Sequence, residues 1–388
     1  TQMKKTLIAA AVMAASGVAF AASNVTLYGV IEEGVVVSKA KHKDTMVDLK
    51  AGFDSGNRWG IKGVEDLGNG YSVGFILEQG FTADNGDEGV EGKAFNRESI
   101  LYVNGGFGSL AFGRTGGLAF AQSQNIRTGW VFGTGYGSSA WNAIDFVAKR
   151  MNNVVSYATP VFSGFSVHAM YSNSGSNELA NDDKKWSENG HYYGIGVKYQ
   201  ANAIRSSLIF EAADNKGSAT AATLVSDVFT ENQWKALDNG QAWADVKDKV
   251  VGDATAKKKP IYVINYGFEY NLGSWTPMFA YQFAHQDHGR RTHMFGLSAS
   301  AQVAGGKAML GARYLFGKDE ATKVGANKVK VDGDVRAWTI GAAYEYPLSK
   351  RTAVKAYAGY ADSGKEWKEV EDVAYNGYQV YLGLRHAF

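Results

Sequence analysis

The sequence predicts an all-β fold, a 16-stranded antiparallel transmembrane β-barrel, and three observations carry that reading. The chain ends in YQVYLGLRHAF, where Tyr378, Val380, Leu382, Leu384, His386 and Phe388 alternate with Gln379, Tyr381, Gly383, Arg385 and Ala387. Period two over the whole segment is the pattern of a strand with one apolar and one wet face. Taken alone it also fits an edge strand of a soluble sandwich, but ending on an aromatic ring suits a barrel whose last strand closes on its first. Beyond its first twenty or so residues the chain has no run approaching the roughly 18 apolar residues of a membrane helix, so spanning a membrane requires a closed barrel. Finally, segments of the same period recur along the chain, joined by alternately short and long connections.

The N-terminal segment explains how such a chain reaches a membrane. Residues 3–21 read MKKTLIAAAVMAASGVAFA: a basic start at Lys4 and Lys5, a short apolar run, and the small-residue site Ala19-Phe20-Ala21. That is a secretory signal peptide over residues 1–21, with Thr1 and Gln2 as a two-residue leader, followed by one barrel domain over 22–388. Cleavage takes the 40 basic residues to 38, equal to the 38 acids, so any ion preference must come from local placement of charge. The chain has no cysteine, which excludes disulfide frameworks and thiolate metal sites. Its 4 prolines are few, as long strands require, since each proline removes a ladder donor.

In chain order, strands are expected near 24–35, 57–65, 71–81, 94–103, 107–114, 152–159, 165–173 and 189–199. They continue near 204–212, 260–271, 274–285, 291–304, 307–317, 335–346, 351–361 and 375–388. The connections at 66–70, 104–106, 160–164, 200–203, 272–273, 305–306 and 347–350 are short, carry Gly, Asn and Pro turn residues, and belong on the periplasmic rim. Those at 36–56, 82–93, 115–151, 174–188, 213–259, 286–290, 318–334 and 362–374 are mostly long and polar and face outside. Both termini are then periplasmic. Within 213–259, Val228, Trp234, Leu237, Trp243, Val246 and Val250 have helical spacing, so a short helix or an irregular loop is expected there. Alternation turns Tyr193, Ile195, Tyr266, Phe279, Tyr281, Trp338 and Tyr344 toward lipid, and Gly194, Gly196, Asn265, Gln282, Thr339 and Glu345 toward the lumen.

Six segments carry a resemblance: NVTLYGVIEEGV from Asn24, NRWGIKGVEDLGNGYSVGFILEQGF from Asn57, FNRESILYVNGGFGSLAFGRT from Phe95, NNVVSYATPVFSGFSVHAMY from Asn152, YEYPLSKRT from Tyr344 and GLRHAF from Gly383. In this order they resemble the general, non-specific trimeric porins of Gram-negative bacteria, of the betaproteobacterial type. The resemblance implies a homotrimer of water-filled 16-stranded barrels in the outer membrane, in contact with lipid and lipopolysaccharide. It implies that the third outer loop, 115–151, folds into the lumen as a constriction. Small hydrophilic solutes and ions would diffuse through, with no covalent chemistry, no cofactor and no nucleic-acid partner. Gly29, Gly63 and Gly383 are small residues expected to let neighbouring barrels pack closely.

Strand parity and the resemblance agree on a pore-lining set. Arg58 opens the second strand with Gly60 and Lys62 in phase, Arg97 is in phase with Ser99, and Arg150 is in phase with Asn152 and Ser156. The three arginines match the cluster that lines the family's constriction. Glu32 and Glu78 share the lumenal phase and are expected to pair with it. Loop 115–151 contributes Arg127 and Lys149 and a single acid, Asp145, whereas cation-preferring relatives carry several acids there. Positive groups around a narrow throat attract anions, so weak anion selectivity is expected. Trp130, Phe132, Tyr136 and Trp141 are expected to pack the loop on the barrel wall, and Phe388 is read as the assembly signal.

Other classes fit less well. A substrate-specific outer-membrane channel would call for an aromatic slide, and no regularly spaced ladder is present. An enzyme would call for a catalytic or metal constellation, but the close histidine pair His285 and His288 has no partnering carboxylates at metal-site spacing. A barrel adhesin would place its function in 213–259. No catalytic or metal-ligating residue is therefore assigned.

Overall fold

Period-two segments can satisfy every backbone group only by pairing on both sides, and the structure shows that closure. It is a computed structural model in which residues 25–40, 44–120, 123–129, 150–174, 186, 189–214, 260–286, 290–319, 323–324, 329–330, 334–363 and 377–388 are described. The first half of the chain forms β1 (Thr26–Ala40), β2 (Met46–Ala51), β3 (Arg58–Gly68), β4 (Tyr71–Gly80), β5 (Glu98–Gly105), β6 (Gly108–Thr115), β7 (Met151–Ala158), β8 (Phe165–Ser174), β9 (His191–Ala201) and β10 (Ile204–Asp214). The second half forms β11 (Ile261–Tyr270), β12 (Trp275–Gln286), β13 (Arg290–Val303), β14 (Gly306–Asp319), β15 (Lys323–Val324), β16 (Val329–Lys330), β17 (Asp334–Pro347), β18 (Thr352–Ser363) and β19 (Gly377–Ala387). The short β15 and β16 pair with each other; the remaining strands form one antiparallel sheet that closes where β19 pairs with β1.

The barrel has sixteen staves because β2 and β3 share one of them. β3 pairs with β1 from Thr26 to Val30, and β2 continues on the same side of β1 from Glu33 to Ser38. This corrects the assignment of 36–56 to an outer loop. β1 runs on to Ala40, β2 returns along it, and 52–57 then leaves the ladder before β3. Every other expected strand is present with shifts of a few residues, the largest at β5, which begins at Glu98. The short turns take the left-handed backbone their residues suggest, for example at Asn69 (φ 53°) and Gly70 (φ 79°) between β3 and β4. The helix-or-loop segment around 227–251 lies outside the described residues.

The faces follow the alternation. Ile195, Leu297, Ile340 and Leu382 are exposed on the outside, while Ser207, Asn265, Gln282 and Thr339 are buried on the inside. The largest buried apolar cluster among the described residues also lies inside the barrel, built from Met170, Tyr192, Ile209, Val263, Ala284, Met294 and Leu315 on the successive strands β8 to β14 with Leu118 and Ile126 of the loop after β6. An apolar patch on a lumenal wall exists because a piece of chain covers it.

The seam is closed by the last residue. Phe388 and Gly29 exchange two backbone hydrogen bonds, both 3.1 Å, and the Phe388 ring lies over Gly29 where a Cβ would collide with it. Gly63 is covered in the same way by the Phe75 ring, and Gly383 by the Tyr381 hydroxyl on the lumenal side. These glycines are therefore filled by the chain's own rings rather than left as flat contacts for a neighbouring barrel.

Candidate functional site

The loop after β6 turns inward because a buried acid holds its first turn. Glu98, on the lumenal face of β5, accepts hydrogen bonds from Thr115 Oγ1 (2.8 Å), Ser123 Oγ (2.6 Å) and the Ser123 N–H (3.0 Å). The chain then crosses the inner faces of β9 to β11. The Leu118 N–H donates to the Tyr192 hydroxyl (3.1 Å), which donates to Glu211 (2.6 Å). The Thr128 N–H reaches Ser207 Oγ (2.9 Å), Thr128 Oγ1 reaches the Gly267 carbonyl (3.0 Å), and the Gly129 N–H reaches Glu269 (2.9 Å). The wall is hollowed to receive it: a Cβ on Gly267 would overlap the Thr128 carbonyl, and one on Gly196 would sit 2.6 Å from Ile126 Cδ1. Residues 118–120 and 123–129 thus lie in the lumen, as the resemblance implies. Asp145, Lys149 and the loop aromatics Trp130, Phe132, Tyr136 and Trp141 lie outside the described residues.

Across from this seat, β1, β3, β4 and the chain entering β5 bring charge together. Glu78 Oε1 accepts from Arg97 Nε at 2.6 Å; Glu78 Oε2 lies 3.6 Å from Arg58 Nε and accepts from the Tyr28 hydroxyl at 3.0 Å. Arg97 reaches the lumen for a different reason than parity suggests. Ser99 pairs beside Leu77 on the outward face, and Arg97 turns inward because it precedes the first residue of β5. Arg114 was not anticipated. A bulge between Gly113 (φ 128°) and Thr115 redirects it, so that it donates to the Asn96 carbonyl (2.8 Å) and Asn152 Oδ1 (2.6 Å). Arg150 stands over the Phe120 ring at 5.1 Å. Burial, with Arg97 and Arg114 nearby, pushes its guanidinium down to about 10, which leaves it charged at neutral pH. Lys62 is exposed one step toward the periplasm, its Nζ 5.2 Å from the Tyr28 ring centre, and Arg127 is half-buried in the loop.

Glu32 does not join the arginines. It is fully buried and pairs with Lys355 Nζ of β18 at 3.3 Å, while its carboxylate accepts the N–H groups of Asp54 (2.8 Å) and Ser55 (3.3 Å). Lys355 also pairs with Asp54 and lies 3.6 Å from Glu345. Parity is correct for Glu32; what diverts it is segment 52–57, which folds between Glu32 and the arginines.

A closed barrel with sixteen staves, a polar lumen, an inserted loop and a charged throat defines a membrane channel. The comparisons agree on its family. The sequence profile of the Gram-negative porins matches residues 8–366, and the chain belongs to that family. It is 29% identical over 405 residues to outer membrane porin protein 32 of Delftia acidovorans and 27% identical over 428 residues to an outer membrane porin of Bordetella pertussis, covering 100% of each and of itself. In fold it is similar to an anion-selective porin from Comamonas acidovorans, with a TM-score of 0.63 at 23% identity over 95% of this chain and 100% of that one. The trimer form of an outer membrane protein of Vibrio cholerae matches with a TM-score of 0.60 at 16% identity, over 95% and 100% of the two chains. The protein is thus an outer-membrane diffusion channel of the porin family.

Proposed function

We propose that this porin is a general diffusion channel for small hydrophilic solutes and ions, weakly selective for anions, and that it works as a homotrimer in outer-membrane lipid and lipopolysaccharide after loss of residues 1–21. The observation that carries the selectivity is the arginine wall. Arg58, Arg97, Arg114 and Arg150 face the throat beside two acids, Glu78 and Glu98, and Glu98 is occupied with the loop's first turn. A fixed surplus of positive charge on a partly desolvated wall raises the local concentration of anions. Lys62, Arg127 and Arg385 add to it. The preference is weak because the cluster around Lys355 carries three acids against one lysine on the neighbouring staves. Asp145 contributes one further acid from the loop.

The test is the reversal potential of the purified protein in planar bilayers across a potassium chloride gradient. A sign that reports chloride as the more permeant ion supports the reading; a cation-selective sign contradicts it. Stepwise currents without added substrate distinguish a general pore from a substrate-specific channel, and unboiled samples are expected to migrate as a trimer on a denaturing gel.

A further inference from the structure

The loop from Thr115 covers one wall of the lumen, yet a second piece of chain folds inward on the facing wall. β2 and β3 lie end to end against β1, and between them residues 52–57 leave the ladder. β10, on which the loop rests, is eight steps from β1 in either direction round the sheet, so the two inward folds face each other.

This fold is held on every side. Its entry is a left-handed Gly52 (φ 62°) whose N–H donates to the Glu32 carbonyl at 2.7 Å. The Phe53 ring stacks on Tyr381 with centroids 4.3 Å apart and planes 6° from parallel, and meets Tyr357 at 5.1 Å. Both tyrosines belong to the lumenal faces of β19 and β18 and are buried. Asp54 is gripped by Lys355, and the backbone of Asp54 and Ser55 by Glu32. At its exit, Asn57 Oδ1 accepts the Glu32 N–H at 2.6 Å and the Gly56 carbonyl accepts from Arg58 Nη1 at 2.9 Å. Arg97 Nη1 lies 3.2 Å from where a Cβ on Gly56 would stand, so the segment shoulders both throat arginines. A surface loop has no need of a buried acid, a buried lysine and two tyrosines. In the lumen each of these ties replaces water that the inward fold displaces.

We propose that residues 52–57 are a second constriction element, which narrows the throat from the wall facing the Thr115 loop, with Lys355 as the residue that locks it inward and Asp54, beside Glu345 of β17, as the acid it presents to passing ions. The proposal rests on the channel reading above. It makes solute size and ion preference depend on two inward folds rather than one.

The chain has no cysteine, so Ser55→Cys, at the half-buried tip of the fold beside the exposed Asp54, provides a unique handle. Single channels are recorded before and after treatment with a bulky uncharged thiol reagent, with the extent of labelling measured by mass on the folded protein. The expected result is complete labelling and loss of most of the current of the same channel, with a small methylating thiol reagent costing far less. Complete labelling with unchanged current would overturn the proposal, because the tip would then stand outside the ion path. Failure to label in the folded barrel would overturn it too, because the tip would not face the aqueous lumen. A parent protein that conducts normally keeps the porin reading intact in either case.

Discussion

Two charged clusters lie side by side on one wall of this barrel and have opposite designs. Around Glu78, two arginines share one acid, and the Arg58 side chain keeps 26% of its surface exposed. Around Lys355, one lysine with 2% exposure serves three acids, among them the fully buried Glu32. The first leaves uncompensated charge in contact with water, where ions sense it. The second sinks Lys355 and Glu32 out of water, leaves Asp54 and Glu345 partly exposed, and fixes a fold. Charge balance and the burial of the cation separate the two roles: two arginines around one acid leave a surplus near water, whereas one buried lysine ties an inward fold in place. Exposed charges at a throat act through their field with little effect on stability, whereas a buried charge left without its partner is costly.

That contrast can be broken most severely at Lys355. Lys355→Met leaves Glu32 buried without its cation, a change that costs about 3–5 kcal/mol in comparable buried pairs. The expected outcome is a marked fall in the unfolding midpoint of the refolded barrel, read by loss of heat-modifiable mobility. A second large effect is expected at the seam. Deleting Phe388 removes two backbone hydrogen bonds to Gly29 and uncovers that glycine, leaving an open edge. The yield of folded protein in outer membranes, measured by blotting, should fall far more than for substitutions in exposed turns.

The arginine cluster should respond in selectivity more than in stability. Glu78→Gln frees Arg58 and Arg97 from their shared acid and should move the reversal potential toward stronger chloride preference; because Glu78 is itself buried, the unfolding midpoint should fall too, by less than in Lys355→Met. The smallest effect is expected from Arg351→Ser, on the exposed turn before β18, which should alter neither the midpoint nor the reversal potential.

Most of the barrel was legible in the sequence because period two is a geometric property of strands and survives any choice of apolar residue. Arg58 and Arg150 were legible because they lie at strand entries in lumenal phase, whereas Arg97 reaches the lumen only because it precedes the first residue of β5. Residues 52–57 were not, because Gly52, Asp54, Ser55, Gly56 and Asn57 are turn-forming residues that read as surface loop whichever way the chain folds. Lys355 was missed because its partner Glu32 is 323 residues away and meets it only through closure of the barrel. Glu98 and Arg114 were missed because a strand start and a bulge shift the phase locally. One signal was present and unused: Gly194, Gly196 and Gly267 share the lumenal phase, and side-chain-free positions on an inner wall mark where another segment lies against it.

The central claim is that the surplus of arginines over acids on one wall of the throat sets the ion preference. It is tested most directly by the reversal potential of the channel carrying Arg58→Ser, Arg97→Ser and Arg150→Ser together, measured in a potassium chloride gradient at low and at high salt. The account predicts a shift from chloride toward potassium relative to the parent, shrinking near 1 M salt, where the screening length falls to about 3 Å. A reversal potential unchanged from the parent at low salt would contradict it, since these side chains could not then face the ion path.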